Sequence, residues 1–123
     1  MFWYPFSGSF GDIFFGENLD SHDKVAIKLE RSNDRSAQLY NERKFYLIIG
    51  SITGFPKMFW FGQWENYNAI VIELLGKNLE DVFEACDNNF SLKTIVLVAI
   101  QLLDRFDYLH SKRFVWVLLI GTV

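Results

Sequence analysis

Four short stretches rich in apolar, aromatic and β-branched residues predict β-strands arranged as two hairpins. Residues 12–16 and 24–29 flank the polar turn 18–23. Residues 57–64 and 67–75 flank Glu65-Asn66, and the turn residues Gly54 and Pro56 stand before this second pair. The pattern therefore indicates an antiparallel sheet rather than parallel strands joined by helices.

Apolar residues at helical spacing predict one helix between the hairpins and two after them. The first covers residues 37–49, with Ser36 as the expected N-cap and Gly50 at its end. Its apolar stripe consists of Leu39, Tyr46 and Ile49. An α+β fold follows, with a small antiparallel sheet that carries one helix.

The part after Gly76 is predicted to be helical. Asn78 is suited to cap a short helix that runs through Cys86, and Ser91 a long one. The stripe of the long helix comprises Leu92, Ile95, Val96, Ala99, Ile100, Leu103, Phe106 and Leu109. A thiol within a helical pattern is most often a small buried hydrophobe, so we expect Cys86 to be buried.

Composition and charge exclude several classes of function. The 123 residues carry a net charge of −3 with both signs interspersed, which leaves no basic surface for nucleic acid or an anionic membrane. The longest apolar run, 114–120, is too short to span a bilayer, and the first residues lack the basic flank of a signal peptide. With one cysteine and no internal disulfide, we expect a soluble cytoplasmic chain.

The segment Phe6-Ser-Gly-Ser-Phe-Gly11 is the first candidate for binding chemistry. Gly8 and Gly11 would let backbone N–H groups approach a phosphate, although an ordinary glycine turn is the simpler interpretation. A dinucleotide-binding loop opens a helix, whereas a strand pattern follows Gly11, so a Rossmann-type oxidoreductase is disfavoured. A glycine-rich loop within a hairpin remains.

Lys28 and Glu42 form the second candidate. Lys28 ends the apolar run Val25-Ala-Ile-Lys28, where a lysine often only covers the sheet with its methylenes. Glu42 lies on the stripe of the first helix and should point toward the sheet, where an unpaired charge would be costly. We therefore expect Lys28 to pair with Glu42.

The glycine loop, Val-Ala-Ile-Lys and the helix glutamate, in this order, resemble the N-lobe of eukaryotic protein kinases. The closer resemblance, over roughly residues 7–115, is to the casein kinase 1 family of serine/threonine kinases. It is carried by Gly-Ser-Phe-Gly-Asp-Ile (8–13), Val-Ala-Ile-Lys-Leu-Glu (25–30), Glu-Leu-Leu-Gly (73–76), Asn-Leu-Glu-Asp (78–81) and Tyr-Leu-His-Ser-Lys (108–112). Residues 67–71, 90–94 and 99–103 look most like the gamma subgroup.

The resemblance implies an N-lobe and hinge in residues 1–76, the first C-lobe helices in 77–115 and a divergent apolar tail in 116–123. ATP would be the bound nucleotide, with Mg²⁺ as its counter-ion and proteins as the phosphate acceptors. The implied nucleotide-binding residues are Gly8, Ser9, Phe10 and Gly11 over the phosphates, Ile13 and Ala26 beside the adenine, Ile72 as gatekeeper, and Glu73 to Leu75 as hinge. Lys28 would contact the phosphates and Glu42 would orient it. Plain core packing is the alternative for Ile13, Ala26 and Ile72.

Two departures from the family pattern limit these expectations. Pro5 and Phe6 stand where a strand residue and the first loop glycine belong, so we expect little of the first strand and weaker ATP binding. After Val115 the catalytic loop, with its aspartate and Mg²⁺-binding asparagine, is missing, and no autonomous phosphate transfer is expected. The remaining acidic residues, Glu80, Asp81, Glu84 and Asp87, are expected to form a solvated face, and His22 and His110 to be structural.

Two functions remain open at this point. The chain is either the ATP-binding portion of a casein-kinase-1-like enzyme, truncated before its catalytic loop, or a non-catalytic interaction module. The second would associate with itself or another protein through the exposed apolar helix stripe. Residues 116–123 are explained by the hypothesis that they come from outside the kinase reading frame or exon.

Overall fold

The computed structural model describes residues 4–8, 11–33 and 38–114. The chain divides into two compact units, Met1–Leu75 and Gly76–Val123. The first unit contains strands β1 (Tyr4–Gly8), β2 (Gly11–Glu17), β3 (Lys24–Arg31), β4 (Met58–Trp64) and β5 (Tyr67–Glu73), with helix α1 (Gln38–Ile49) between β3 and β4. The second contains helices α2 (Leu79–Ala85) and α3 (Leu92–Ser111).

The five strands form one antiparallel sheet in the order β1-β2-β3-β5-β4. Both predicted hairpins are present, β2 with β3 around the turn at 18–23 and β4 with β5 around Glu65 and Asn66. The long connection from β3 to β4 contains α1, and it lets β5 rather than β4 pair with β3. The predicted α+β class, with a small antiparallel sheet and helices, is confirmed.

The expectation that little of the first strand remains is wrong. Strand β1 pairs with β2 residue for residue from Tyr4↔Phe15 to Gly8↔Gly11, and Pro5 lies opposite Phe14. Proline lacks an N–H donor, which would interrupt a central strand. In the described sheet β1 is an outer strand, so only one of its edges carries ladder bonds and proline is tolerated there.

Side chains alternate between the two faces of the sheet, and both faces carry buried residues. On one face Val25, Ile27 and Leu29 of β3 pack with Ala69 of β5. On the other, the buried Ile70 of β5 lies in the half of the sheet that α1 contacts. Helix α1 adds the buried side chains of Leu39, Phe45, Tyr46 and Ile49. The three stripe residues predicted from the sequence are all buried.

Helix α1 is tied to the sheet at its start and ends where the sequence indicates. The carboxylate of Glu30, on β3, accepts hydrogen bonds from the backbone N–H groups of Gln38 (3.0 Å) and Leu39 (3.3 Å). The Glu30 carboxylate therefore satisfies two of the N–H donors that the first turn of a helix leaves unpaired. Ser36, the expected cap, lies outside the described residues. At the other end Gly50 adopts φ 71° and its N–H bonds to the Tyr46 carbonyl, as in a glycine C-cap.

The helices of the second unit have the predicted caps. The Asn78 side chain accepts from the Asp81 N–H at 2.7 Å, and Ser91 Oγ accepts from the Thr94 N–H at 3.2 Å. No described residue of α2 or α3 is buried. Cys86 is exposed at the C-cap of α2, so its expected burial is wrong: the helix is short and its end faces solvent.

Candidate functional site

Four of the residues singled out in the sequence share one face of the sheet. Residues directly opposite in an antiparallel ladder project to the same side. Ile13 is opposite Lys28, and Ala26 is opposite Ile72. Because Ala26 and Lys28 are two residues apart on β3, all four side chains project from the same face. Each is partly exposed, so these four residues combine apolar surface with the amine of Lys28.

Glu42 of α1 reaches Lys28 across this face. Lys28 Nζ donates to Glu42 Oε2 at 2.7 Å, and the side chains are 19% and 20% exposed. This is a short, charge-assisted contact between residues that are 14 positions apart in the chain. Partial burial means that water screens the pair less than a surface pair, and the direction of the lysine is fixed.

Glu30, which sequence reasoning missed, positions the helix that carries Glu42. Glu30 is two residues after Lys28 on β3, so it projects from the same face. The Glu30 cap connects β3 to the first residues of α1, and the Lys28–Glu42 pair connects the same strand to the next turn of the helix. The available signal was the alternation Ala26, Lys28, Glu30 along one strand opposite the buried Val25, Ile27 and Leu29.

Tyr46 lies one helical turn beyond Glu42 on α1, and its side chain is buried. Burial, and secondarily the negative charge of Glu42, raise the pKa of Tyr46 to about 12. The Tyr46 phenol therefore lies buried near the carboxylate that holds Lys28.

The glycine loop is described only at its two ends. Gly8 and Gly11 are directly paired where β1 and β2 meet. Ser9 and Phe10, which the kinase resemblance places over the phosphates, lie outside the described residues. The hairpin context expected from the strand pattern after Gly11 is present.

The segment expected to be the hinge follows β5. The backbone N–H of Glu73 donates to the Lys57 carbonyl at 2.8 Å, and the Leu74 N–H donates to the Lys24 carbonyl at 3.4 Å. The Glu73 carboxylate also accepts from the Lys57 N–H at 3.2 Å. These bonds hold the end of β5 against its neighbours. The N–H groups of Glu73 and Leu74 are therefore already hydrogen-bonded within the protein. Of the three expected hinge residues, Leu75 is exposed, and its N–H donates to no backbone carbonyl of the described residues.

Other chemistry in the described residues is less suited to a binding site. A cavity of about 370 Å³ in the second unit is lined by Leu79, Glu80, Phe83 and Phe90. It has no cation to meet a phosphate, which argues against nucleotide binding there. Within the described ranges no three of His, Cys, Asp and Glu come together as metal ligands.

The two histidines and the carboxylates on or just after α2 lie on the surface. His22 Nδ1 is 2.9 Å from Glu17, which also pairs with Lys24. Bonds from Lys24 and then His22 lower the pKa of Glu17. Glu80, Asp81, Glu84 and Asp87 are exposed, and so is His110 in the last turn of α3.

Comparison with models of known protein families finds no match for this chain. Among the described residues, no helix combines the length and apolar character needed to cross a bilayer.

Proposed function

We propose that the first unit binds ATP in the manner of a protein-kinase N-lobe of the casein kinase 1 type, closest to the gamma subgroup. The observation that carries this proposal is the 2.7 Å contact between Lys28 and Glu42. A lysine held by a helix carboxylate presents its ammonium in a fixed direction, which is the requirement for contacting nucleotide phosphates.

The contribution of the Lys28–Glu42 pair to folding stability is too small to explain why the pair is present. Exposed ion pairs contribute about 0–1 kcal/mol, and more buried ones must first offset the cost of removing charge from water. The sheet could hold α1 by apolar contacts and the Glu30 cap without it. A partly open, oriented ammonium is better explained by a ligand with negative charge.

The neighbouring side chains suit an adenine ring. Ile13, Ala26 and Ile72 supply apolar surface on the face that carries Lys28. Nucleotide pockets combine such surface with a few directional polar groups. The Leu75 N–H is the group that we assign to the edge of the adenine, and Gly8 to Gly11 are assigned to the phosphates.

The proposed activity is binding without autonomous phosphate transfer. Transfer requires a carboxylate at the substrate hydroxyl and ligands for Mg²⁺. No stretch of the 123 residues carries the His/Tyr-Arg-Asp motif that supplies the first of these in kinases. Phosphate transfer to proteins is therefore proposed only as the reaction of the casein kinase 1 family. It is not proposed for this chain acting alone.

Thermal unfolding in the presence of Mg-ATP tests the proposal. A ligand that binds only the folded state stabilises it by about 2.7 kcal/mol at 100 times its dissociation constant. We expect the unfolding midpoint of the wild type to rise with ATP concentration, and Lys28→Met to lose this dependence. Lys24→Met is the matched control, since Lys24 lies on the same strand and pairs with Glu17 instead.

Either of two results would reject ATP binding at Lys28: no midpoint shift at millimolar ATP, or an equal shift in wild type and Lys28→Met. A loss of the shift in Lys24→Met as well would indicate nonspecific charge attraction, which contradicts the proposed site.

A non-catalytic interaction module is the second candidate, and the exposure of α3 favours it. Its large apolar side chains at positions 92, 95, 96, 97, 100 and 103 are 46% to 76% exposed. Exposed apolar stripes of this size are typical of surfaces that contact another protein. A transfer assay on an acidic peptide that gave turnover abolished by Lys28→Met would reject this candidate and the proposed lack of transfer.

A further inference from the structure

Strand β4 is the outer strand of the described sheet on the side away from β1, and its composition is unusual for an exposed edge. Its residues, Met-Phe-Trp-Phe-Gly-Gln-Trp, include no charge and no proline. Trp60 and Trp64 are each 48% exposed. Outer strands of soluble proteins are normally protected by charge or proline, because their free edge can pair with another strand.

The two tryptophans of β4 are placed symmetrically about Gly62. Trp60 and Trp64 stand two residues before and two residues after Gly62. A two-fold interface places residue i opposite j and j opposite i. An antiparallel pair of β4 strands centred on Gly62 would therefore place each Trp60 opposite the Trp64 of the second copy. Another copy of this chain fits this edge better than an unrelated strand, because the strand is complementary to itself.

The backbone geometry is compatible with this register. Glu65 and Asn66 form a two-residue turn, which makes Trp64 and Tyr67 the pair that closes the hairpin with its hydrogen bonds. Bonded and non-bonded positions alternate along a strand, so the N–H and C=O groups of Phe61 and Gln63 point to the outer edge. The pairing with β5 is regular from Trp60 to Trp64, and its shift lies before Trp60.

The tryptophans occupy the positions where cross-strand side chains come closest. Since Trp60 and Trp64 bond toward β5, they would be non-hydrogen-bonded positions toward a second β4, with the shortest Cα separation. Aromatic cross-strand pairs stabilise such positions. Trp64 already stacks on Tyr67, with ring centroids 6.4 Å apart, so its ring is held against its own sheet.

Gly62 supplies the space at the centre. A Cβ atom at this position would overlap the Trp60 ring, so the indole lies across the glycine. Two glycines facing each other would leave room for both Trp60 rings. On the opposite face Phe61 packs against Tyr40 at 5.3 Å and beneath the Arg43 guanidinium at 5.0 Å, and these contacts would remain.

We propose that two copies of this chain associate through antiparallel pairing of their β4 strands about a two-fold axis at Gly62. The pairing joins the two sheets into one and buries the exposed tryptophans in cross-strand pairs, without burying any charged residue of β4.

Sedimentation of the full chain over a range of concentrations tests the association. The wild type is expected to change from monomer to dimer, and Gln63→Pro to remain monomeric because it removes an N–H on the outer edge. Gln63→Thr keeps the N–H and should still dimerise. Leu47→Lys, an exposed apolar position on α1, is the control for a general loss of hydrophobic surface and should also dimerise.

A pair of charge variants tests the register and remains informative if Gln63→Pro does not fold. Trp60→Lys with Trp64→Lys, and Trp60→Glu with Trp64→Glu, should each be monomeric because like charges face each other. An equimolar mixture should form a heterodimer, since the proposed register places every lysine opposite a glutamate.

A wild type that stays monomeric at all concentrations overturns the proposal, and so does a mixture of the charge variants that does not associate. A dimer that survives Gln63→Pro but is lost in Ile100→Lys would assign the contact to α3 and overturn it as well.

Discussion

The two units of this chain differ in how their elements are stabilised. In the first, the sheet and α1 bury a core and bring Lys28 to Glu42. In the second, α2 and α3 have well-formed caps, yet none of their described residues is buried. Caps and periodicity are local signals that mark where a helix lies, whereas burial, oriented charge and most of the stability of a helix require a second element.

The largest expected difference between the units concerns core truncation. Ile70 is fully buried in β5, and Ile100 of α3 is half exposed. Ile70→Ala should lower the free energy of unfolding by about 2–5 kcal/mol, because it leaves a cavity. Ile100→Ala, the same change on the other unit, should alter it by less than about 0.5 kcal/mol. Urea unfolding of both variants measures this, and equal losses would contradict the comparison.

Loss of the Glu30 cap is expected to be the next largest effect. Glu30→Ala removes the acceptor for two N–H groups at the start of α1. We expect a loss of about 1–2 kcal/mol, in the range measured for caps and charged hydrogen bonds. Glu84→Ala, an exposed glutamate of α2, serves as the control in the same denaturation experiment. The cap assignment fails if the two variants have the same stability.

The Lys28–Glu42 contact should show a smaller coupling energy. A double-mutant cycle with Lys28→Met and Glu42→Gln is expected to give about 1 kcal/mol, because the pair is only partly buried. The Lys24–Glu17 pair is exposed, and the cycle with Lys24→Met and Glu17→Gln should give less. A coupling energy of zero for Lys28 and Glu42 would mean that the contact does not fix the lysine.

The pKa shift of Tyr46 should have the smallest effect on stability at neutral pH. It should become measurable only in alkaline solution. Burial raises the pKa of Tyr46 from 10.0 to about 12, so the folded state holds this proton more tightly. Its contribution to stability is complete below pH 10 and is lost as the pH rises from 10 toward 12. Alkaline unfolding with tyrosinate absorbance as the probe should show reduced pH dependence in Tyr46→Phe. Tyr40→Phe, which changes a half-exposed tyrosine of the same helix, is the control, and the assignment to Tyr46 fails if both variants respond to alkali alike.

Much of the secondary structure could be predicted because its signals are local. Asn78, Ser91 and Gly50 mark helix ends through bonds to residues within a few positions. The tight turn at Glu65-Asn66 likewise connects neighbouring strands. Polarity, turn chemistry and periodicity were sufficient for these elements.

What could not be predicted depends on contacts between distant residues. The Glu30 cap acts on α1 across the connection between strand and helix. Pro5 is tolerated because β1 is an outer strand, which is a property of the whole sheet. Cys86 is exposed because no element of the described residues covers the end of α2, and no local pattern carries that information.

Methyl-resolved NMR during titration with Mg-ATP tests most directly whether the Lys28 face of the sheet binds nucleotide. Adjacent residues of β3 point to opposite faces, so the strand contains its own control. We predict that the methyl signals of Ile13, Ala26 and Ile72 shift, while those of Val25 and Ile27 change little, and that Lys28→Met removes the shifts. No shifts, or shifts confined to Leu79 and Val82 in the second unit, would contradict the account.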